Sequence, residues 1–261
     1  MDENEAMKSN WQKAIFSLLK SKKELEHRAV FTSQATLIVL IGSIALTSLS
    51  LVSPSSKYQI EILELASATG AEFDPINAIE TLAVKGRAPK TGYSRSAFGP
   101  AWADVDRNGC DTRNDILKRD LTQVTYRAKT KDCVVESGVL LDPFSGENIN
   151  FQRGEKTSAL VQIDHVVALS NAWQTGIFKA DLATRKNFAN DPLNLLAVKG
   201  SLNSQKGDGD AATWLPPNKS FRCDYVSRQV EVKVKYGLWV TKSERDAILR
   251  ILTNPPCLKQ N

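Results

Sequence analysis

LVQIDHVVALSNAW, residues 160–173, contains one of only two histidines in a chain of 261 residues. A β-branched, apolar lead-in, Ala159–Ile163, reads as a short strand that runs into Asp164-His165, and ALSNAW beyond it reads as helical. A carboxylate and an imidazole are therefore delivered together at a strand end. The imidazole, with an ordinary pKa near 6.5, is poised for proton transfer near neutral pH. The other histidine, His27, lies in a charged N-terminal tail.

Downstream, DLATRKNFAND (181–191) has helical spacing and Leu193–Lys199 reads as a short apolar strand. A polar turn then leads to LNSQKGDGDAATWLPP (202–217). Phe221–Tyr236 is a predicted helix, and the capping box formed by Thr241 and Glu244 opens another over Ser243–Leu252. Upstream, TRNDILKRDLT (112–122) has helical spacing through Ile116, Leu117 and Leu121. Strands are predicted at Val134–Leu140 and Ile149–Gln152, around the turn DPFSGE. Asp74-Pro75 has the form of an N-cap followed by a first-turn proline, with a weak helical pattern over 74–84. The expected fold class is α+β with a small antiparallel sheet, because no alternating βαβ rhythm supports a doubly wound sheet.

A hairpin whose first strand ends in Asp164-His165, and whose second strand feeds a helix near Asn203, would gather four polar residues: Asp164, Asn194, Asn203 and Lys206. A carboxylate and an amide oxygen facing one spot suit a hard cation such as Mg²⁺. Taken singly, His165 reads as a packed histidine, Asn194 as a turn cap and Lys206 as a solvated turn lysine. Trp173, Trp214 and Phe188 read as core aromatics.

The N-terminal region has a different character. From Ala29 to Ser56 no residue is charged, and Ala35–Val52 is almost wholly apolar, against the roughly 20 helical residues that span a bilayer. Lys20, Lys22, Lys23 and Arg28 precede it, so the positive-inside rule places the N-terminus in the cytoplasm and the rest outside. The expected organisation is a cytoplasmic tail (1–34), a transmembrane anchor or signal segment (35–53), a linker (54–75) and an exported domain (76–261). Within the tail, Trp11–Leu25 has the pattern of an amphipathic helix. The expected location is the cell membrane, single-pass with the C-terminal domain extracellular, or secreted if the segment is cleaved. All four cysteines follow the apolar run, as suits an oxidising compartment. Three pairings exist for four cysteines. The sequential one, Cys110–Cys133 and Cys223–Cys257, closes two modest loops and is the one expected. No CxxC knuckle supports structural zinc. The net charge of +5 suits a polyanionic ligand without requiring one.

The ordered set DHVVAL (164–169), FANDPLNL (188–195), LNSQKGD (202–208) and WLPP (214–217) resembles the HNH, or ββα-metal, endonucleases. The resemblance is to the exported branch that shares the C-terminal domain of GmrSD-type restriction endonucleases, and it covers most of the chain from about residue 85. It also takes in YSRSAFGPAWADVDRNGCDTRNDIL (93–117) and CVVESGVLLDPFSGE (133–147). It implies a ββα-metal core with added helices and a nucleic acid substrate, DNA foremost and RNA second. His165 would be the general base. Asp164 and Asn203 would hold one divalent metal, Mg²⁺ or Mn²⁺, since Asn203 stands where some members carry histidine. Asn194 would hold the loop and orient His165, and Lys206 would offset charge at the phosphate. Arg95 and Arg113 are candidate phosphate contacts, although Arg95 and Trp102 also read as scaffold in such proteins.

Two rival readings go with this one. Asp104, Asp106, Asn108 and Asp115 imitate an EF-hand loop, which suits a non-catalytic, disulfide-stapled surface module that binds calcium. A disulfide-anchored turn explains the same residues. A nuclease toxin aimed at neighbouring cells is the third reading, and no delivery module accompanies it.

Overall fold

The computed structural model describes residues 73–258. The expected tail, the expected span (35–53) and nearly all of the linker lie outside that range. Among the described residues no helix is long and apolar enough to cross a membrane.

The first helix, α1 (Pro75–Thr81), begins as its residues dictate: Asp74 accepts the backbone N–H groups of Ile76 and Asn77, and Pro75 occupies the first turn. After a short 3₁₀ turn (Arg95–Phe98), α2 covers Thr112–Asp120, capped by Asp111. The chain then passes directly into a strand, β1 (Leu121–Tyr126), that the helical reading of 112–122 had overrun. Leu121 continues the apolar spacing of the helix, so local pattern alone carries the helix two residues too far. What ends it is pairing of β1 with β2 (Val135–Leu141), which in turn pairs with β3 (Asn148–Gln152), all antiparallel. Gly138 of β2 lies against Leu121, where a Cβ would be too close to that side chain.

A second, two-stranded sheet pairs β4 (Val161–His165) with β5 (Leu195–Lys199), with Asp164 opposite Leu196 and His165 opposite Leu195. Between these strands the chain makes α3 (Leu169–Gln174) and α4 (Leu182–Asn190). After β5 no turn intervenes. Helix α5 spans Gly200–Lys206, so it opens at Gly200 rather than near Asn203. Gly200 permits this because a Cβ there would strike the carbonyl oxygen of Ala159. The outer edge of β5 has no strand partner. Instead the N–H of Ala197 donates to Asp120 (2.8 Å) and that of Lys199 to Asp142 (2.9 Å). Carboxylates thus satisfy an edge that would otherwise be left unpaired.

The C-terminal helices α6 (Arg222–Lys235) and α7 (Lys242–Leu252) close the domain, with a last turn, α8, at Pro255–Leu258. On α6, Val226, Val230 and Val234 recur every fourth residue and pack with Ile79, Phe144, Val166 and Val198. Each fully buried aliphatic side chain of this kind contributes roughly 1.5–3 kcal/mol. The Thr241–Glu244 capping box at the start of α7 forms as the sequence predicts. So do both disulfides, Cys110–Cys133 and Cys223–Cys257. The architecture is mixed α+β with two small antiparallel sheets.

Candidate functional site

Strand alternation divides the labour of the Asp164-His165 pair, since successive side chains leave opposite faces of β4. Gln162 and Asp164 face α5, where Asn203 Nδ2 donates to Gln162 Oε1 (2.9 Å) and Lys206 Nζ donates to Asp164 Oδ1 (2.7 Å). The three-residue step from Asn203 to Lys206 is one helical turn, so α5 matches its side chains to alternate residues of β4. Lys206 also donates to the backbone carbonyl of His165 (2.7 Å), and its side chain is wholly buried. The ammonium expected beside a phosphate is therefore spent on holding Asp164 and the strand end. The second carboxylate oxygen, Asp164 Oδ2, is buried with no hydrogen-bond partner. Burial pushes the Asp164 carboxyl above its ordinary range, and Lys206 opposes that rise.

On the other face His165 Nε2 lies 2.9 Å from the carbonyl oxygen of Ala189 at the end of α4. A carbonyl only accepts, so Nε2 carries the proton and Nδ1 keeps the lone pair. The indole of Trp102 stacks on the imidazole, with centroids 6.1 Å apart and planes 18° from parallel. Burial, with Arg95 and Lys206 as nearby positive charges, lowers the His165 pKa to about 4, against the pull of the Ala189 carbonyl. The imidazole is thus neutral throughout the near-neutral range, rather than titrating at 6.5 as sequence reasoning supposed.

His165 opens on a cavity of about 290 Å³, lined also by Arg95, Phe98, Trp102, Leu169 and Asn190. Arg95 is an exposed member of this lining. It is carried on the 3₁₀ turn, which Arg185 of α4 fastens by donating to the Ala97 carbonyl (2.7 Å).

Asn194 takes the place that its position before β5 predicts. Its Oδ1 accepts from the N–H of Val167 (2.8 Å), its Nδ2 donates to the Val167 carbonyl, and its own carbonyl accepts from Val166. It clamps the chain just past His165 and touches no open space, being fully buried. Arg113 is not part of the cavity lining: its guanidinium donates to the Val161 carbonyl (3.2 Å). Burial and the nearby Arg153 also disfavour its charged form. Two contributors escaped sequence reasoning. The Ala189 carbonyl is backbone and leaves no side-chain signal. Trp102 was legible only as an aromatic in a scaffold segment.

In the Asp104–Asp115 loop, Asp104 accepts the N–H groups of Asn108 and Gly109, and Asn108 Nδ2 bridges Asp106 and Asp115. Cys110 closes it through its disulfide to Cys133. Among the described residues no group of three or more His, Cys, Asp or Glu side chains is placed to hold a metal ion. Asp164 and Asn203 carry oxygens of the kind a hard cation takes, since Asp164 Oδ2 is buried and unpartnered and Asn203 uses only its Nδ2 on Gln162. Both, however, lie on the α5 face of β4, and neither lines the cavity beside His165.

Comparison with known proteins adds the lineage. Residues 111–251 match the family model for the C-terminal domain of GmrSD restriction endonucleases. The chain is also 36% identical over 173 residues to an "Uncharacterized secreted protein" of Arthroderma benhamiae, an alignment covering 66% of this chain and 79% of that protein. No solved structure matches. With more than half of its length matched, the chain belongs to the family of the GmrSD restriction endonuclease C-terminal domain.

Proposed function

We propose that the protein is a metal-dependent endonuclease of the HNH type, acting on phosphodiester bonds of DNA and secondarily RNA outside the cytoplasmic membrane. The observation that carries the reading is a buried imidazole held in one tautomer beside a cavity, next in sequence to a carboxylate with a free, buried oxygen. Nδ1 of His165 accepts a proton from water as the water oxygen attacks phosphorus; the bond from phosphorus to the 3′ oxygen breaks, and that oxygen takes up a proton from solvent. The Nε2–H bond to Ala189 keeps Nδ1 the basic nitrogen throughout, and a pKa of about 4 keeps it unprotonated before each turnover. Arg95, at the cavity, binds the phosphate. Asp164 and Asn203, on the α5 face of β4, are the residues that would hold a divalent ion, Mg²⁺ or Mn²⁺, and such an ion supplies positive charge to a phosphodiester. Lys206 fixes Asp164, and Asn194 fixes the chain after His165.

The two disulfides and the secreted relative support a site of action outside the cytoplasm. Whether the 35–53 segment anchors the domain is read by fractionating cells that carry a C-terminally tagged chain. The activity is tested by incubating the protein with plasmid and Mg²⁺ or Mn²⁺. Cleavage that is lost in His165→Ala and in EDTA is expected. Undiminished cleavage by His165→Ala, or no cleavage with any divalent ion, overturns the proposal.

A further inference from the structure

We infer that Trp102 is a positioning residue for His165, supplied from outside the stretch that the family model matches (111–251). The inference rests on the reading of His165 as the base. A histidine ring is placed by two torsions, and the second is broad in the absence of contacts. Two contacts remove that freedom. The Nε2–H bond to Ala189 selects which edge of the ring faces α4, and the near-parallel indole fixes the tilt of its plane. With edge and tilt both set, the direction of the Nδ1 lone pair is set as well.

Trp102 is held in place at a cost. Its φ is +56°, a left-handed conformation that bulky residues rarely adopt. The surroundings enforce it: the Trp102 carbonyl accepts from the N–H of Thr112 at the start of α2. The loop beyond is knotted by Asp104, which takes the N–H groups of Asn108 and Gly109, and by the Cys110–Cys133 disulfide. The cluster that imitates a calcium loop thus serves as the mounting for an aromatic plate over the base. Plain packing explains a half-buried indole but not a strained backbone that sets it parallel to one imidazole.

The test uses the full chain with labelled histidine, in which only His27 and His165 give imidazole signals. Spectra are recorded at one fixed pH of about 8, where an ordinary imidazole is neutral, and His165→Ala assigns the signals. Wild-type His165 should show carbon-bound ring protons displaced by the indole ring current and a slowly exchanging Nε2 proton. Trp102→Leu should bring the ring protons toward the position of His27 and speed the exchange, while Trp102→Phe keeps most of both features. On an oligonucleotide duplex with Mg²⁺, Trp102→Leu should lower kcat on the order of 10–100-fold with KM changed less than about twofold. Trp102→Phe should restore most of the rate, and it carries the test if the leucine variant does not fold. Unmoved His165 signals in Trp102→Leu overturn the inference, as does an unchanged kcat or a rise in KM that accounts for the whole loss. If the wild-type chain cleaves nothing, the endonuclease reading falls by itself, and the resonances still decide whether Trp102 positions the ring.

Discussion

Replacing Lys206 by methionine removes the ammonium and keeps an unbranched stem of four atoms. In the wild type that ammonium is wholly buried, 2.7 Å from Asp164 Oδ1 and 2.7 Å from the His165 carbonyl. Asp164 is itself 3% exposed, and its other oxygen already lacks a partner. The variant therefore leaves a buried carboxylate without its only cationic partner. Removing one member of a buried ion pair costs about 3–5 kcal/mol. A domain of this size loses about 2–4 °C of Tm per kcal/mol, so the fall in Tm should be about 6–20 °C.

The sign with pH follows from burial. Burial already raises the Asp164 carboxyl, with Lys206 the main opposing influence, so the variant raises it further. A carboxyl raised in the folded state costs stability as pH climbs from the unfolded value, near 3.9, through the folded one. The deficit of Lys206→Met should accordingly be larger at pH 8 than at pH 5. Urea and thermal melts in EDTA at both pH values measure it. The double variant Asp164→Asn with Lys206→Met, which leaves no charge at this pair, should recover part of the loss. Two results refute the reasoning: a single variant within about 1 kcal/mol of wild type, or a double variant no more stable than Lys206→Met.

Other consequences are equally open to measurement. Because His165 is held near pKa 4, against 6.5 in the unfolded chain, folding disfavours its protonation and stability drains away as pH falls through that window. The loss is at most about 3 kcal/mol, from 1.36 kcal/mol per pKa unit, and comparing wild type with His165→Gln between pH 4 and 7 isolates it. The acid limb of nuclease activity should likewise lie near 4 rather than 6.5; an inflection at 6.5 contradicts the buried, neutral imidazole. Gly200→Ala forces a methyl onto the Ala159 carbonyl, so chemical denaturation should show a loss of about 1–3 kcal/mol or more. Asn194→Ala strands the N–H of Val167 in the interior, and a loss of about 1–3 kcal/mol is expected from the same measurement. Opening Cys110–Cys133 by paired serine substitutions should cost about 2–5 kcal/mol.

Much of this was legible along the chain. Helix ends governed by local chemistry came through, such as Asp74 with Pro75 and Thr241 with Glu244, because caps depend on residues within one turn of each other. The order of Asp164, His165, Asn194, Asn203 and Lys206 suggested one cluster, whereas the structure joins Lys206 to Asp164 and Asn203 to Gln162 on one face of β4 and turns His165 to the other. β1 was missed because its fate depends on pairing with β2 (Val135–Leu141) across the sheet rather than on its own spacing. The role of Lys206 was misjudged for a related reason. A lysine beside glycine reads as solvated, and only the packing of α5 on β4 buries its ammonium.

By itself, then, the sequence determined which chemical groups this protein has: a single imidazole in the described domain, its adjacent carboxylate, the amides that follow, and four cysteines in an order that favours neighbours. Those are properties of residue type and spacing. The tertiary structure decided how the groups are used. It put Asp164 and His165 on opposite faces of β4, turned Lys206 inward, chose Ala189 to hold the imidazole proton and laid Trp102 across the ring. Each of these depends on contacts between residues far apart in the chain and on burial that shifts a proton affinity, and neither is encoded in any local pattern.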